Sequence, residues 1–338
     1  MNEFDFINRI RAKAQNRGHS SQLSIGIGDD AAVVNPINGR QTVVSVDLLV
    51  EDIDFGRDVT PSRFLGHKAL AVSLSDIAAM GAQPRWALLS LGVPEGVWNA
   101  DFVDQLYDGL FQLADRYQVK LIGGDTSSTP DKIVVDSIVL GDCAQGHAVS
   151  RAGARPGDLI FVTGSLGGAA AGLRLLKRGA KLATEQSDDP DAEAIERVLL
   201  RQLVPEPRVG WGLVLGEDRL ASAMIDVSDG LSSDLHHLCD ESKVGALIDA
   251  AKIPIDRSVA ELCGRRALDP LLLALHGGED FELLFTVSPA NAARLPKKVD
   301  GVPITRIGSI EASANGVRIA EGSRVWELSP RGFQHFRE

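Results

Sequence analysis

The sequence predicts an α+β protein built from two halves. Strand-like and helix-like patterns are mixed without strict β-α-β alternation. A length of 338 residues exceeds one typical domain and suits two. A stretch rich in glycine, alanine and polar residues, Asp142 to Asp158, parts the chain near its middle and carries Pro156. The expected division is 1–146 and 147–338, each half a mixed sheet packed with helices.

Residues 23–34 and 41–50 alternate or run apolar and predict strands, joined by a turn at Asn38-Gly39. Pro61 opens a helical pattern that runs to Gly81, with proline in the first turn and glycine past the end. Strands are expected near 85–93, 119–123 and 132–141, with a helix near 99–117. The second half begins with a strand at 158–163 and a small-residue helix start at Ser165–Gly172. An acidic loop at 184–193 precedes helices at 191–203 and 207–217. A strand at 222–226 then leads into a helix at 231–241, with strands near 245–249, 282–287 and 304–310.

The apolar fraction of 44% is that of an ordinary globular chain, which argues against disorder. No apolar stretch approaches the ~20 residues of a membrane span, and the acidic opening Met1 to Phe6 lacks a secretory pattern. Cys143, Cys239 and Cys263 are too few and too scattered for a disulfide framework or a zinc cluster. The expectation is a soluble, reducing, cytoplasmic setting. A net charge of −11 with no basic block excludes a nucleic-acid binder.

Five segments combine glycine, aspartate and hydroxyl residues: Gly26 to Asp30, Ser45-Val46-Asp47, Ser75-Asp76, Gly123 to Thr126, and Asp226 to Gly230. No lysine or arginine stands between Arg17 and Arg40, between Arg40 and Arg57, or between Arg219 and Lys243. Any one Gly-Asp pair is more often a turn than a metal site. Several of these acids, however, sit at the ends of apolar strands, and a charge withdrawn from water needs a partner. On a helix, Asp76 has Val72 and Met80 four residues away and Ser73 and Ala79 three away, so no counter-ion is local. Hard divalent cations take oxygen ligands, and Mg²⁺ commonly combines a few carboxylates with substrate phosphates. Scattered aspartates with glycine turns therefore suggest several Mg²⁺ ions bridging phosphates. No Gly-x-x-x-x-Gly-Lys-Ser/Thr element is present, which excludes a Walker-type phosphate loop.

Those segments, together with Leu74 to Ala82, Gly277-Gly278-Glu279-Asp280-Phe281-Glu282-Leu283 and the closing Gly332-Phe333-Gln334-His335-Phe336, resemble in order the signature blocks of the thiamine-monophosphate kinase family. The resemblance runs from about residue 23 to the end. It implies the PurM-like ATP-binding superfamily: two α+β domains per chain, usually a homodimer, with ATP and thiamine monophosphate as partners. It implies Mg²⁺ ligation by Asp30, Ser45, Val46 (through its carbonyl), Asp47, Asp76, Asp125 and Asp226, with Asp229 holding a further ion. Tyr107, Gly124, Asp125, Arg151 and Ser228 would contact ATP. Asp54, Glu279 and Phe333 or Phe336 would contact thiamine. Two positions depart from the family pattern: Val46 stands for the usual threonine and Asp54 for the usual histidine. His67 and Lys68, near the start of the helix, are taken as structural.

The implied reaction is direct transfer of the ATP γ-phosphoryl group. The acceptor phosphate has a second pKa near ~6, so no protein base is required. Selenophosphate synthetase and aminoimidazole-ribonucleotide synthetase are alternatives within the superfamily; the first wants an N-terminal reactive cysteine, whereas the first cysteine here is Cys143. A non-catalytic Mg²⁺-ATP-binding relative is the alternative outside enzymology.

Overall fold

The computed structural model describes residues 23–25, 29–34, 39–182 and 189–333. The first half forms a six-stranded sheet from β1 (Leu23–Ile25), β2 (Ala32–Val34), β3 (Arg40–Val50), β4 (Gln83–Pro94), β5 (Lys120–Thr129) and β6 (Val134–Ala144). Its order is β1-β2-β3-β6-β4-β5, antiparallel throughout except where β4 and β5 run parallel. Two helices, α1 (Ser62–Ala79) and α2 (Ala100–Tyr117), complete this half. The expected strand at 23–34 is two short strands, with Asp29 and Asp30 following the gap. Gly39 takes the left-handed backbone that the predicted turn requires, whereas Asn38 lies outside the described residues.

The second half carries β7 (Leu159–Thr163), α3 (Gly168–Lys177), α4 (Ala192–Leu203), α5 (Val209–Glu217), β8 (Ala221–Asp226), α6 (Leu231–Ser242) and β9 (Gly245–Asp249). These are followed by α7 (Arg257–Arg266), α8 (Pro270–His276), β10 (Leu283–Val287), a short α9 (Pro289–Ala292), β11 (Lys298–Val299), β12 (Val302–Glu311), β13 (Val317–Glu321) and β14 (Arg324–Glu327). Seven strands run β14-β13-β9-β12-β7-β10-β8, with β11 paired to β12. The α+β expectation holds. Helices α7 and α8 and strands β13 and β14 were not anticipated. Asp256 and Asp269 cap the two helices through their carboxylates, and Pro270 opens the second, so their start signals were legible.

Helix α1 is buried on nearly all sides between Leu65 and Ala79, because the first sheet, α2, α5 and β8 pack around it. One core therefore spans both halves: Leu74, Ile77 and Met80 join Trp211, Leu215, Met224 and Phe285. The Trp211 indole N–H donates to the Val302 carbonyl at 3.0 Å, and its ring stacks on Phe285. Glycines let the helices approach at backbone distance. A Cβ on Gly66 would stand 1.8 Å from the Leu106 carbonyl oxygen, and one on Gly212 would stand 2.2 Å from that of Ala78.

Gly212→Ala should lower the unfolding free energy by about 1–3 kcal/mol, because backbone rather than a flexible side chain blocks the methyl group. Gly264→Ala, with nothing within 4 Å, should be neutral or slightly stabilising. Urea midpoints of the two variants measure this contrast.

Candidate active site

The site forms where four remote pieces of chain meet at the join between the halves. Asp30 follows the short bridge at Asp29, Asp47 lies on β3, Asp76 falls in the last turn of α1, and Asp226 ends β8. Carboxylate oxygens of Asp30, Asp76 and Asp226 all lie within 4.8 Å of one another. Hydroxyls extend the group. Ser45 donates to Asp76 and, at 3.3 Å, to Asp47; Ser73 donates to Asp47 at 2.7 Å; Ser75 donates to Asp226 at 2.6 Å.

The electrostatics oppose this arrangement. Burial pushes the Asp76 carboxyl well above its ordinary range, and the charges of Asp47, Asp226 and Asp30 push it further. Burial, then Asp30, raises Asp226 likewise. Asp47 is raised by burial against the opposing hydrogen bonds of Ser73 and Ser45. Asp76 also sits at a helix C-terminus with no basic residue in the last turn, where the macrodipole disfavours an anion.

One cation answers the cluster directly. Arg151, from the segment joining the two sheets, grips Asp30 through Nε at 2.9 Å and a terminal guanidinium nitrogen at 2.7 Å, a bidentate pair 121 residues apart in sequence. Its backbone N–H donates to Asp29, whose carboxyl is pushed up to about 7 by burial and by Asp30. Asp30 therefore has a counter-ion, contrary to the expectation of acids without partners. Among the described residues no lysine or arginine forms an ion pair with Asp47, Asp76 or Asp226. A buried all-oxygen donor set with surplus negative charge fits a hard divalent cation.

Asp125 is not brought into this group. It lies exposed on the edge strand β5, with its carboxylate accepting from the Thr126 N–H at 2.8 Å. Gly124 beside it packs so closely that a Cβ would stand 2.0 Å from the Leu89 carbonyl oxygen. Val46 is an exposed residue of β3, and Tyr107 on α2 sets its ring against Phe111 at 5.9 Å. Asp229 follows Ser228 in the loop after β8, and its charge helps raise buried Asp234.

The Gly277 to Leu283 segment turns beside that loop. The Glu279 N–H donates to the Ser228 carbonyl at 2.7 Å and the Phe281 N–H to that of Val227 at 2.9 Å. Glu279 and Phe281 both adopt positive φ, +65° and +49°, uncommon for residues with side chains. The three acids of this segment separate. Glu279 meets Lys68 at 2.5 Å, and Asp280 accepts from the N–H groups of Gly167 and Ala169 at the start of α3. Burial works against the charge of Glu282, yet Arg208 and Arg201 outweigh it and hold its carboxyl below the ordinary range. Sequence reasoning missed these last two arginines, because their partner lies more than 70 residues away.

Asp54 closes its own turn by accepting from the Val50 N–H at 2.7 Å. The C-terminal block returns to the site: Gly332 N–H donates to Ser233 Oγ at 2.9 Å, and Phe333 N–H to the Asp229 carbonyl at 3.2 Å. The Phe333 side chain is half-exposed there, and Phe336 lies outside the described residues. Among the described residues no helix is long and apolar enough to cross a membrane.

Two family models match the chain, "AIR synthase related protein, N-terminal domain" over residues 28–143 and the corresponding C-terminal domain over 155–321. The thiamine-monophosphate kinase of Bacillus subtilis is 38% identical over 342 residues, covering 100% of both chains. That of Escherichia coli is 38% identical over 334 residues, covering 96% of each. A solved structure described as "AaThiL complexed with AMPPCP and TMP" superposes with a TM-score of 0.83 at 30% identity, covering 99% of this chain and 97% of that one. The thiamine-monophosphate kinase structure from Stenotrophomonas maltophilia gives 0.76 at 39% identity, covering 97% and 98%. A hydrogenase maturation protein, HypE, at 19% identity and a TM-score of 0.65, shares the fold.

Raised carboxyls mean that Asp76 and Asp226 bind more protons in the folded, metal-free protein than in the unfolded chain. Their contribution to stability is then fullest at low pH and is lost as pH rises from the ordinary carboxylate range near ~4 through the raised folded values. In EDTA the thermal midpoint should fall across this range, Mg²⁺ should reverse the fall, and Asp76→Asn should flatten it. A pH series of melting curves measures all three.

Proposed function

Because this chain belongs to the thiamine-monophosphate kinase family, we propose that its acidic cleft transfers the γ-phosphoryl group of ATP to thiamine monophosphate, giving thiamine diphosphate and ADP. The observation that carries the proposal is the buried convergence of Asp30, Asp76 and Asp226 beside Asp47, with Arg151 the one cation paired into the group among the described residues. Such a site is costly until cations fill it, and nucleotide phosphates arrive with cations.

Mg²⁺ would be held by Asp30, Ser45, the Val46 carbonyl, Asp47, Asp76, Asp125 and Asp226, with a further ion at Asp229. When bound it supplies charge neutralisation between two phosphorylated molecules. Arg151, Ser228, Gly124, Asp125 and Tyr107 would orient ATP. Glu279, Asp54 and Phe333 or Phe336 would hold thiamine, the backbone of Phe333 being fastened to the Asp229 carbonyl. The acceptor phosphate is already largely deprotonated near neutral pH, so no residue has to abstract a proton. The residues instead align the two substrates for in-line attack and exclude water. Residues 1–146 would supply most acidic ligands, and 147–338 would complete the nucleotide and thiamine sites.

We also propose a homodimer. Val46 at 59%, Leu48 at 58%, Ile122 at 59% and Trp86 at 41% expose large apolar side chains on the first sheet, more than an isolated chain normally leaves in water. Asp125 lies on this sheet's exposed edge strand, so a partner copy would carry it to the neighbouring acidic group.

Incubation with Mg²⁺, ATP and thiamine monophosphate should yield thiamine diphosphate, and unphosphorylated thiamine should give no product. Asp76→Ala should lower kcat/KM by ~10³-fold or more, the loss expected when several kcal/mol of charge stabilisation disappear. Absence of product with wild-type protein overturns the reading.

Light scattering should give twice the chain mass. Asp125→Ala and Asp76→Ala copies, each inactive alone, should regain about a quarter of wild-type activity when unfolded and refolded together, since half the dimers are mixed and each holds one intact site. No regain would place Asp125 in its own chain's site.

A further inference from the structure

Lys68 on α1 is one of the most enclosed charged side chains in the protein, at 2% exposure. An ammonium withdrawn from water is retained only with strong partners. Its Nζ lies 2.5 Å from Glu279 Oε1 and 3.3 Å from the Asp54 carbonyl oxygen. The other Glu279 oxygen accepts from the Gln202 amide. Glu279 is thus held on both oxygens, on a backbone at φ +65° that its own N–H fastens to Ser228. Gly278 reinforces this, since a Cβ there would stand 2.4 Å from the Ser228 carbonyl oxygen. Part of the Glu279 side chain, 27%, stays exposed. The neighbouring His67 points elsewhere. Its Nε2 bonds the Pro205 carbonyl at 2.8 Å and joins α1 to the loop after α4.

One ammonium therefore ties together the two segments that would face the thiamine moiety, residues 50–55 from the first half and 277–283 from the second. The structural role expected of Lys68 takes this particular form: it joins those two segments. We propose that Lys68 is a positioning residue for the thiamine subsite: it fixes the Glu279 carboxylate and the Asp54 loop at the spacing that a cationic heteroaromatic group requires, and it takes no part in phosphoryl transfer. The proposal rests on the reading that Glu279 meets thiamine.

Steady-state kinetics of the full-length protein with Mg²⁺ test it, using Lys68→Met, which keeps volume and removes charge, Glu279→Gln, and the double variant. Lys68→Met should raise the KM for thiamine monophosphate ~10-fold or more, as expected for loss of a charged hydrogen bond, with the KM for ATP and kcat changed less than ~3-fold. The double variant should be little worse than Glu279→Gln alone, because the two side chains act as one unit. Should Lys68→Met fail to fold, Gln202→Leu removes the other tether of Glu279, and a smaller rise confined to the same KM is expected. A raised KM in Glu279→Gln with an unchanged one in Lys68→Met overturns this proposal while leaving the kinase reading intact. Parallel rises in both KM values, or additive effects, make Lys68 a stability residue and also overturn it. An unchanged KM in Glu279→Gln removes its premise and overturns it as well.

Discussion

The structure depends on a repulsion. Asp30, Asp47, Asp76 and Asp226 crowd into a space where water is scarce, and Arg151 neutralises only the first of them directly. Buried like charges a few ångströms apart cost several kcal/mol unless protonated or neutralised. The chain holds them there because α1 and β8 are fixed by a core common to both halves, so neither Asp76 nor Asp226 can retreat to solvent. That uncompensated charge on Asp47, Asp76 and Asp226 is what the proposed binding of cations with phosphates would relieve.

Rigidity follows from the same arrangement. Gly66 and Gly212 bring helices together at backbone distance, the second of them across the join of the halves against Ala78, and Trp211 is anchored within the second half by its ring and its indole N–H. Protein interiors packed in this way resist continuous deformation. Polar links also cross between the halves: Arg151 to Asp30, Lys68 to Glu279 and Ser75 to Asp226.

The Gly277 to Leu283 segment illustrates how one short motif divides its labour. Two glycines and two positive φ angles turn the acids in different directions: Glu279 to Lys68, Asp280 to the N-terminus of α3, and Glu282 into a pair of arginines. Only Glu279 keeps part of its side chain exposed. The other two acids fasten the turn that carries it.

Alternation, proline and glycine punctuation and capping residues were enough to read most strands and helices, since these are local consequences of backbone geometry. The edge strand β14, exposed along its length, has no apolar alternation to betray it. The sequence by itself also determined which acids lack a nearby base, and hence where metal chemistry was to be sought. It could not reveal that Arg151 answers Asp30 across 121 residues, that Asp125 lies apart from its fellow acids, or that Lys68 points at Glu279. Those pairings are made by chain closure and packing. Charges interact through space, and only the folded backbone decides which distant side chains come within reach of one another.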